Sequence, residues 1–255
     1  MSETRQFSWP SAVRVIADVL YPPACPLCGR PDPPRRDLCP DCEAALARSR
    51  SVPFCTRCGT TVGPFAGTAD GCPSCRTRPA PPAGFVRVGE FSGALAELIR
   101  AFKFQGRDDL ERRLGELLGD ALRSAPWLSD IDVLTWVPTC WQHRLTRRSH
   151  ATTALVPHAA HRAERPLRKL LRRVRGGRHQ VGLPRLERLE NIKGCFRIAR
   201  GVRLERAVIG LLDDVATTGA TVFECARVLK RAGARRVYVA ILAHAGGLPE
   251  LPRDV

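Results

Sequence analysis

The chain lacks any long hydrophobic run. Nowhere in its 255 residues does an uncharged apolar stretch approach the ~20 residues that a bilayer-crossing helix needs, which excludes a helical membrane span. Its opening, MSETRQFSWPSAVRVIADVL, also lacks the unbroken apolar segment and small-residue cleavage site of a secretory signal, because Arg14 and Asp18 interrupt it. A soluble, cytoplasmic protein without membrane insertion is expected. Acidic residues are short as well, 25 against 41 basic, and the imbalance is local. Between Gln142 and Arg206 stand 18 Arg and Lys and only four Asp and Glu. Such a window suits a polyanion, either nucleic acid or a phosphorylated small molecule, unless it is simply a solvated basic face. Aromatic side chains are scarce in the same window, where Phe196 is the only Phe, Tyr or Trp. Stacking platforms for bases are therefore missing, which argues against sequence-reading of single strands. Salt-sensitive, sequence-blind binding of single-stranded DNA is the form expected, with Arg147, Arg148, Arg172, Arg173, Arg175 and Arg178 as candidate contacts.

Cysteine, by contrast, is abundant, with 11 in the chain. In a reducing compartment thiols stay free or bind metal. Eight of them form four C-x-x-C knuckles: Cys25/Cys28, Cys39/Cys42, Cys55/Cys58 and Cys72/Cys75. One knuckle offers two sulfurs to one metal from a tight turn, and two knuckles complete a tetrahedral sulfur site, so eight cysteines make two zinc sites. Pairing of adjacent knuckles gives two zinc ribbons; a cross-braced arrangement uses the same ligands. A thioredoxin-like motif comes singly on a βαβ unit, unlike these repeated knuckles among Pro, Gly and Arg. With few large apolar residues between Cys25 and Cys75, metal must supply most of the folding free energy of this segment. Cys140, Cys195 and Cys225 share no spacing pattern, and Cys225 is expected to be ordinary helix packing.

The proline-rich stretch RTRPAPPAG, Arg76 to Gly84, predicts a hinge between module and body. The expected division is an N-terminal helical lead over 1–20, a double zinc ribbon over 21–80 and the main domain over 85–255. In that domain, Leu95, Leu98, Ile99 and Phe102 mark one helix after Ser92, and Leu110, Leu114, Leu117, Leu118 and Ala121 a second from about Asp108. Ile131 to Pro138 predicts a buried strand, Thr152 to Arg162 a helix, and the basic stretch to Arg206 an irregular segment. Ala207 to Leu212 predicts a second buried strand, followed by a helix after Gly219 and a third strand over Arg236 to Leu242. Continuous apolar strands alternating with helices predict an α/β fold: a parallel sheet, right-handed crossovers, helices on both faces. Ligands of such folds sit at the carboxyl ends of strands.

That is where VIGLLDDVATTGATV, Val208 to Val222, places Asp213 and Asp214. Leu212 is expected to end the buried strand, so both carboxylates emerge at the rim and can accept hydrogen bonds from a vicinal diol such as that of ribose. Ala216 to Thr221 then turn into a helix, with hydroxyls from Thr217, Thr218 and Thr221 and a glycine, Gly219, that permits close backbone approach. Backbone N–H groups and the positive end of the helix dipole make a phosphate seat there. A helix cap needs one acceptor and no apolar run upstream, so capping alone does not account for the pair.

LLDDVATTGAT resembles the signature of type I phosphoribosyltransferases, which bind phosphoribosyl pyrophosphate, usually with magnesium. Together with the four knuckles, AFKFQGRDDL at Ala101 to Leu110, VP at Val137, and QVGLPRLERLENIKGCF at Gln180 to Phe196, it makes nearly the whole chain similar to the ComF family. That family joins a zinc module to a phosphoribosyltransferase-like domain and is linked to natural competence. The resemblance implies a type I phosphoribosyltransferase-like parallel sheet behind a double zinc ribbon, and competence-machinery partners. It makes Asp213 and Asp214 the ribose-diol ligands and Val215, Ala216, Thr217, Thr218, Gly219, Ala220 and Thr221 the 5′-phosphate loop. Pro138, Thr139, Cys140 and Arg144 would form the pyrophosphate loop. One departure stands out: after Arg148 the family shows glycine, an aromatic and Asn or Asp, and this chain has Ser149, His150 and Ala151.

Two functions follow from that resemblance. As an enzyme the protein would displace pyrophosphate from C1 of phosphoribosyl pyrophosphate with a nitrogen nucleophile, magnesium neutralising the leaving group and the carboxylates the charge on the ribose. As a non-catalytic competence factor it would bind single-stranded DNA and keep the pocket as a sensor or relic. No residue identifies the acceptor.

Overall fold

The computed structural model describes residues 24–31, 38–63, 71–76, 82–138, 151–174 and 192–246. The chain forms two compact units, Met1–Ala45 and Leu46–Val255, with the boundary inside helix α1 (Pro40–Arg50). The proline-rich stretch is thus not the division between units. The third and fourth knuckles share a unit with the sheet, and the strand that follows them hydrogen-bonds directly to the third.

That strand, β1 (Gly84–Glu90), lies at one edge of a four-stranded parallel sheet of order β1-β6-β5-β2, with β2 at Val133–Trp136, β5 at Val208–Ala216 and β6 at Arg236–His244. Its Phe85 N–H donates to Thr56 O at 2.7 Å. Arg87, almost fully buried, donates from one guanidinium nitrogen to Gly59 O (2.8 Å) and Thr61 Oγ1 (3.0 Å) and from the other to Val52 O (3.3 Å). A buried guanidinium persists only when hydrogen bonds replace its water, and here carbonyls of the second ribbon do so. Burial still pulls the Arg87 pKa down to about 10. Sequence reading missed β1 because Arg87 reads as a break in its apolar run.

The helical predictions for the main domain hold closely, while the helical lead expected over 1–20 lies outside the described residues: α3 is Gly93–Phe104, α4 Glu111–Arg123 behind a short 3-10 turn, α5 Ala151–Arg162 and α6 Ala220–Arg231, α2 being the single turn Pro73–Arg76. Helices α4 and α5 pack closely at two glycines. A Cβ on Gly115 would lie 2.6 Å from Leu155 O and from His158 Cβ, and one on Gly119 2.5 Å from Arg162 Cβ. The stretch predicted to be irregular holds an antiparallel pair, β3 (Leu171–Arg173) and β4 (Phe196–Ile198). One core cluster joins Ile209 and Leu211 of β5 to Val237, Val239 and Ile241 of β6, with Val222, Cys225 and Leu229 of α6, Leu171 of β3 and Phe196 of β4. Cys225 is packing, as expected. Among the described residues no helix is long and apolar enough to cross a membrane.

Candidate functional site

The eight knuckle cysteines form two separate groups, Cys25, Cys28, Cys39 and Cys42 in one and Cys55, Cys58, Cys72 and Cys75 in the other, with the sulfurs of each group within 4.8 Å of one another. Adjacent knuckles therefore pair, and no cross-brace is present in these groups. Their Sγ–Sγ separations are 3.7 Å for Cys28–Cys39, 3.7 Å for Cys55–Cys75 and 3.5 Å for Cys58–Cys72. A zinc–sulfur bond of ~2.3 Å in a tetrahedron requires sulfurs about 3.8 Å apart, so both groups fit the ion. Backbone donors are in place for thiolate: Cys39 N–H points to Cys25 Sγ (3.4 Å) and Cys72 N–H to Cys55 Sγ (3.3 Å). Burial raises the pKa of Cys25, but N–H groups of Cys39, Cys28 and Leu27 outweigh it and bring it down to about 6. Cys55 is likewise burdened by burial yet held at about 7 by N–H groups of Arg57, Cys72 and Cys58.

The acidic pair lies at the carboxyl end of β5, as predicted, but inside the strand. The ladder to β6 carries β5 on to Ala216, with Asp213 opposite Ile241 and Ala216 opposite His244, so the strand does not end at Leu212. Strand alternation then sets Asp213 in line with Ile209 and Leu211, and Asp214 in line with Gly210 and Leu212. The two carboxylates start from opposite faces and do not emerge side by side at the rim. Asp213 is buried, its Oδ1 accepting from Asp214 N–H (2.9 Å) and facing the Thr152 hydroxyl (3.4 Å). Burial first, and the charge of Asp214 second, push its pKa up to about 8. Asp214 is ion-paired to Lys103 of α3, Oδ2 to Nζ 2.7 Å, at side-chain exposures of 14% and 19%. Lys103 and Thr152 were not singled out as site residues from sequence: both lie more than 60 residues from Asp213, although Lys103 falls within AFKFQGRDDL.

Beyond Ala216 the chain turns into α6. Gly219 caps the helix in the left-handed region, φ 73°, where a side chain would be strained. Ala220 N–H donates to Thr218 Oγ1 (3.3 Å), and Phe223 N–H to Gly219 O (2.9 Å) begins the helical ladder. The N–H groups of Thr221 and Val222 therefore belong to the open end of a 12-residue helix, where an anion is stabilised. The end of β6 closes beside this turn, with Ala245 N–H on Ala216 O at 2.7 Å and Gly246 N–H on His244 Nδ1 at 3.0 Å.

Residues 16–76 match the double zinc ribbon domain family. Over 207 residues the chain is 32% identical to DNA utilization protein YhgH of Salmonella typhimurium, covering 79% of this chain and 88% of that one. The chain belongs to the ComF family. Competence protein F of Haemophilus influenzae is a further relative, 28% identical over 217 residues that cover 83% of this chain and 92% of that protein. Among solved structures, glutamine phosphoribosylpyrophosphate amidotransferase from B. subtilis aligns at TM-score 0.38 and 21% identity, covering 56% of this chain and 30% of that one. A hypoxanthine phosphoribosyltransferase from Staphylococcus aureus aligns at TM-score 0.34 and 12% identity over 56% of this chain and 75% of that one.

Of the pyrophosphate loop expected for this ComF-family chain, Pro138 is buried just past β2, where Val137 N–H donates to Leu212 O (2.9 Å). Thr139, Cys140 and Arg144 lie outside the described residues, as do Arg147, Arg148, Arg175 and Arg178. Arg172 and Arg173 lie on β3, half-buried. Arg172 Nε donates to Ile198 O (3.3 Å), and the Arg173 guanidinium stacks 5.4 Å from the Phe196 ring. Arg172 also stands directly opposite Arg197, a like-charge pair that a bound anion would relieve. Arg168, Lys169, Arg200, Arg203 and Arg206 are exposed in the same part of the chain.

Proposed function

We propose that this protein binds phosphoribosyl pyrophosphate at the carboxyl end of β5 and acts in DNA uptake or use. The observation that carries the reading is the continuity of Asp213 and Asp214 with the hydroxyl-bearing turn and open N-terminus of α6. The N–H groups of Thr221 and Val222, with the hydroxyls of Thr217, Thr218 and Thr221, would hold the 5′-phosphate by dipole and hydrogen bond. Asp214, once Lys103 swings aside, would accept a ribose hydroxyl. Burial favours the neutral form of Asp213, which would lessen the pair's repulsion of an incoming polyphosphate. Magnesium, held mainly by the ligand's own oxygens, would neutralise the pyrophosphate. Transfer, where it occurs, breaks the C1–O bond to pyrophosphate and forms a C1–N bond to an acceptor amine, whose proton leaves to solvent. Calorimetric titration of phosphoribosyl pyrophosphate with magnesium tests the binding. Asp214→Asn should weaken it roughly 10- to 100-fold, the range for one hydrogen bond to a charged group, with zinc content unchanged. No heat of binding with the intact, zinc-loaded protein would remove the proposal. Pyrophosphate release with a panel of bases tests turnover.

A second reading is favoured by the relatives named for competence and DNA utilization and by the opposed Arg172 and Arg197. In it the exposed arginines contact single-stranded DNA through phosphates, with affinity falling steeply as salt rises. Filter binding that is flat between low and moderate ionic strength would eliminate it.

A further inference from the structure

The second cysteine group does not stand apart from the α6 turn. Phe223, in the first turn of α6, packs on the cluster of Cys55, Cys58, Val62, Cys72 and Cys75 and also on the core of the sheet. The knuckle itself is fitted to β1. A Cβ on Gly59 would fall 2.3 Å from the Phe85 ring, and Phe85 belongs to the same core as Ala220 and Val222 of α6. A polar route runs alongside. Thr61 donates to Glu90 Oε1 (3.0 Å), Glu90 pairs with His244 in the sheet, and His244 pairs with Ala216 at the start of the turn.

We infer that the second zinc site is a positioning element for the phosphate-binding turn, and that Phe223 is the side chain through which it acts. Four thiols 3.5–3.9 Å apart form a complete ligand set, and in so small a core the bound ion supplies most of the free energy that holds them together. When the ion is bound, the knuckle is a rigid wall behind Phe223, and the N–H groups at the start of α6 converge on one point. Without it the wall loosens and the first turn of α6 gains freedom that an anion must then remove on binding, lowering affinity. The metal therefore sets the affinity of the anion site without touching the anion. The ligand class rests on the phosphoribosyl pyrophosphate reading; the mechanical coupling does not.

The test uses full-length, zinc-loaded protein, with three readouts: zinc per chain, amide hydrogen exchange over 217–225, and calorimetric affinity for phosphoribosyl pyrophosphate with magnesium. Phe223→Ala should keep both zinc ions, exchange the amides of Ala220 to Phe223 roughly tenfold faster and bind roughly tenfold more weakly, with Phe223→Leu recovering part of both. Cys58→Ser should lose one zinc and show the same faster exchange, whereas Cys28→Ser should lose one zinc and leave exchange over 217–225 slow. Phe223→Ala with full zinc, unchanged exchange and unchanged affinity would overturn the inference, and needs no folded cysteine variant. If the intact protein binds no phosphoribosyl pyrophosphate, the ligand reading fails, and exchange in Phe223→Ala alone decides the coupling.

Discussion

Asp213→Asn should remove a pH dependence of stability that the wild-type protein carries between about pH 4 and pH 8. The carboxyl of Asp213 is buried beside Asp214, and its pKa rises from the ordinary 3.8 to about 8 in the fold. A folded-state pKa above the unfolded value means that the protonated group favours folding. The contribution is complete below about pH 4, declines as pH rises, and is gone once pH passes the folded value. The two values differ by about four pH units; at ~1.4 kcal/mol each the ceiling is about 6 kcal/mol. Local relaxation of the buried site makes roughly half of that the expected size. Asparagine keeps the size and the acceptor for Asp214 N–H but cannot ionise. Urea unfolding of zinc-saturated wild type and variant at pH 5, 7 and 9 gives the difference between them, which cancels other titrating groups. About three of those four units are crossed between pH 5 and pH 9, so the variant should gain on the wild type by about 2 kcal/mol over that range. A difference that stays constant across that range, or moves the other way, would refute the assignment of Asp213 as a carboxyl buried in its neutral form.

Three other outcomes follow from the same geometry. Lys103→Met leaves Asp214 without its partner in a mostly buried position and should cost about 2–3 kcal/mol, while the double variant with Asp214→Asn should cost less than the two single changes added, by at least ~1 kcal/mol in a double-mutant cycle. Gly115→Val should destabilise by about 2–3 kcal/mol or more in chemical denaturation, because its new side chain meets the backbone of α5 at Leu155, which has no rotamer to yield. Metal analysis should find two zinc ions per chain, and a folded preparation with none would contradict both cysteine groups.

The spacing of the knuckles, the apolar runs of β5 and β6 and the amphipathic faces of α3 and α4 were all legible because each is a local pattern: ligand geometry within four residues, or a period of 2 or 3.6. The turn after β5 was legible for the same reason, since an acidic pair, threonines and a glycine lie consecutively. Missing from the sequence reading were β1 and the β3–β4 pair. Arg87 interrupts the first, and the second consists of two three-residue strands far apart in a basic stretch.

By itself, then, the sequence determined the metal chemistry, the class of the sheet and the address of the candidate site, since these depend on neighbours along the chain. Tertiary structure alone decided that β5 runs through its aspartates, because only the partner strand β6 extends the ladder to Ala216. It also decided that Lys103 answers Asp214 and that the second ribbon backs onto α6 through Phe223. Those contacts join residues dozens to more than a hundred positions apart, and no periodicity encodes a distance that only packing closes.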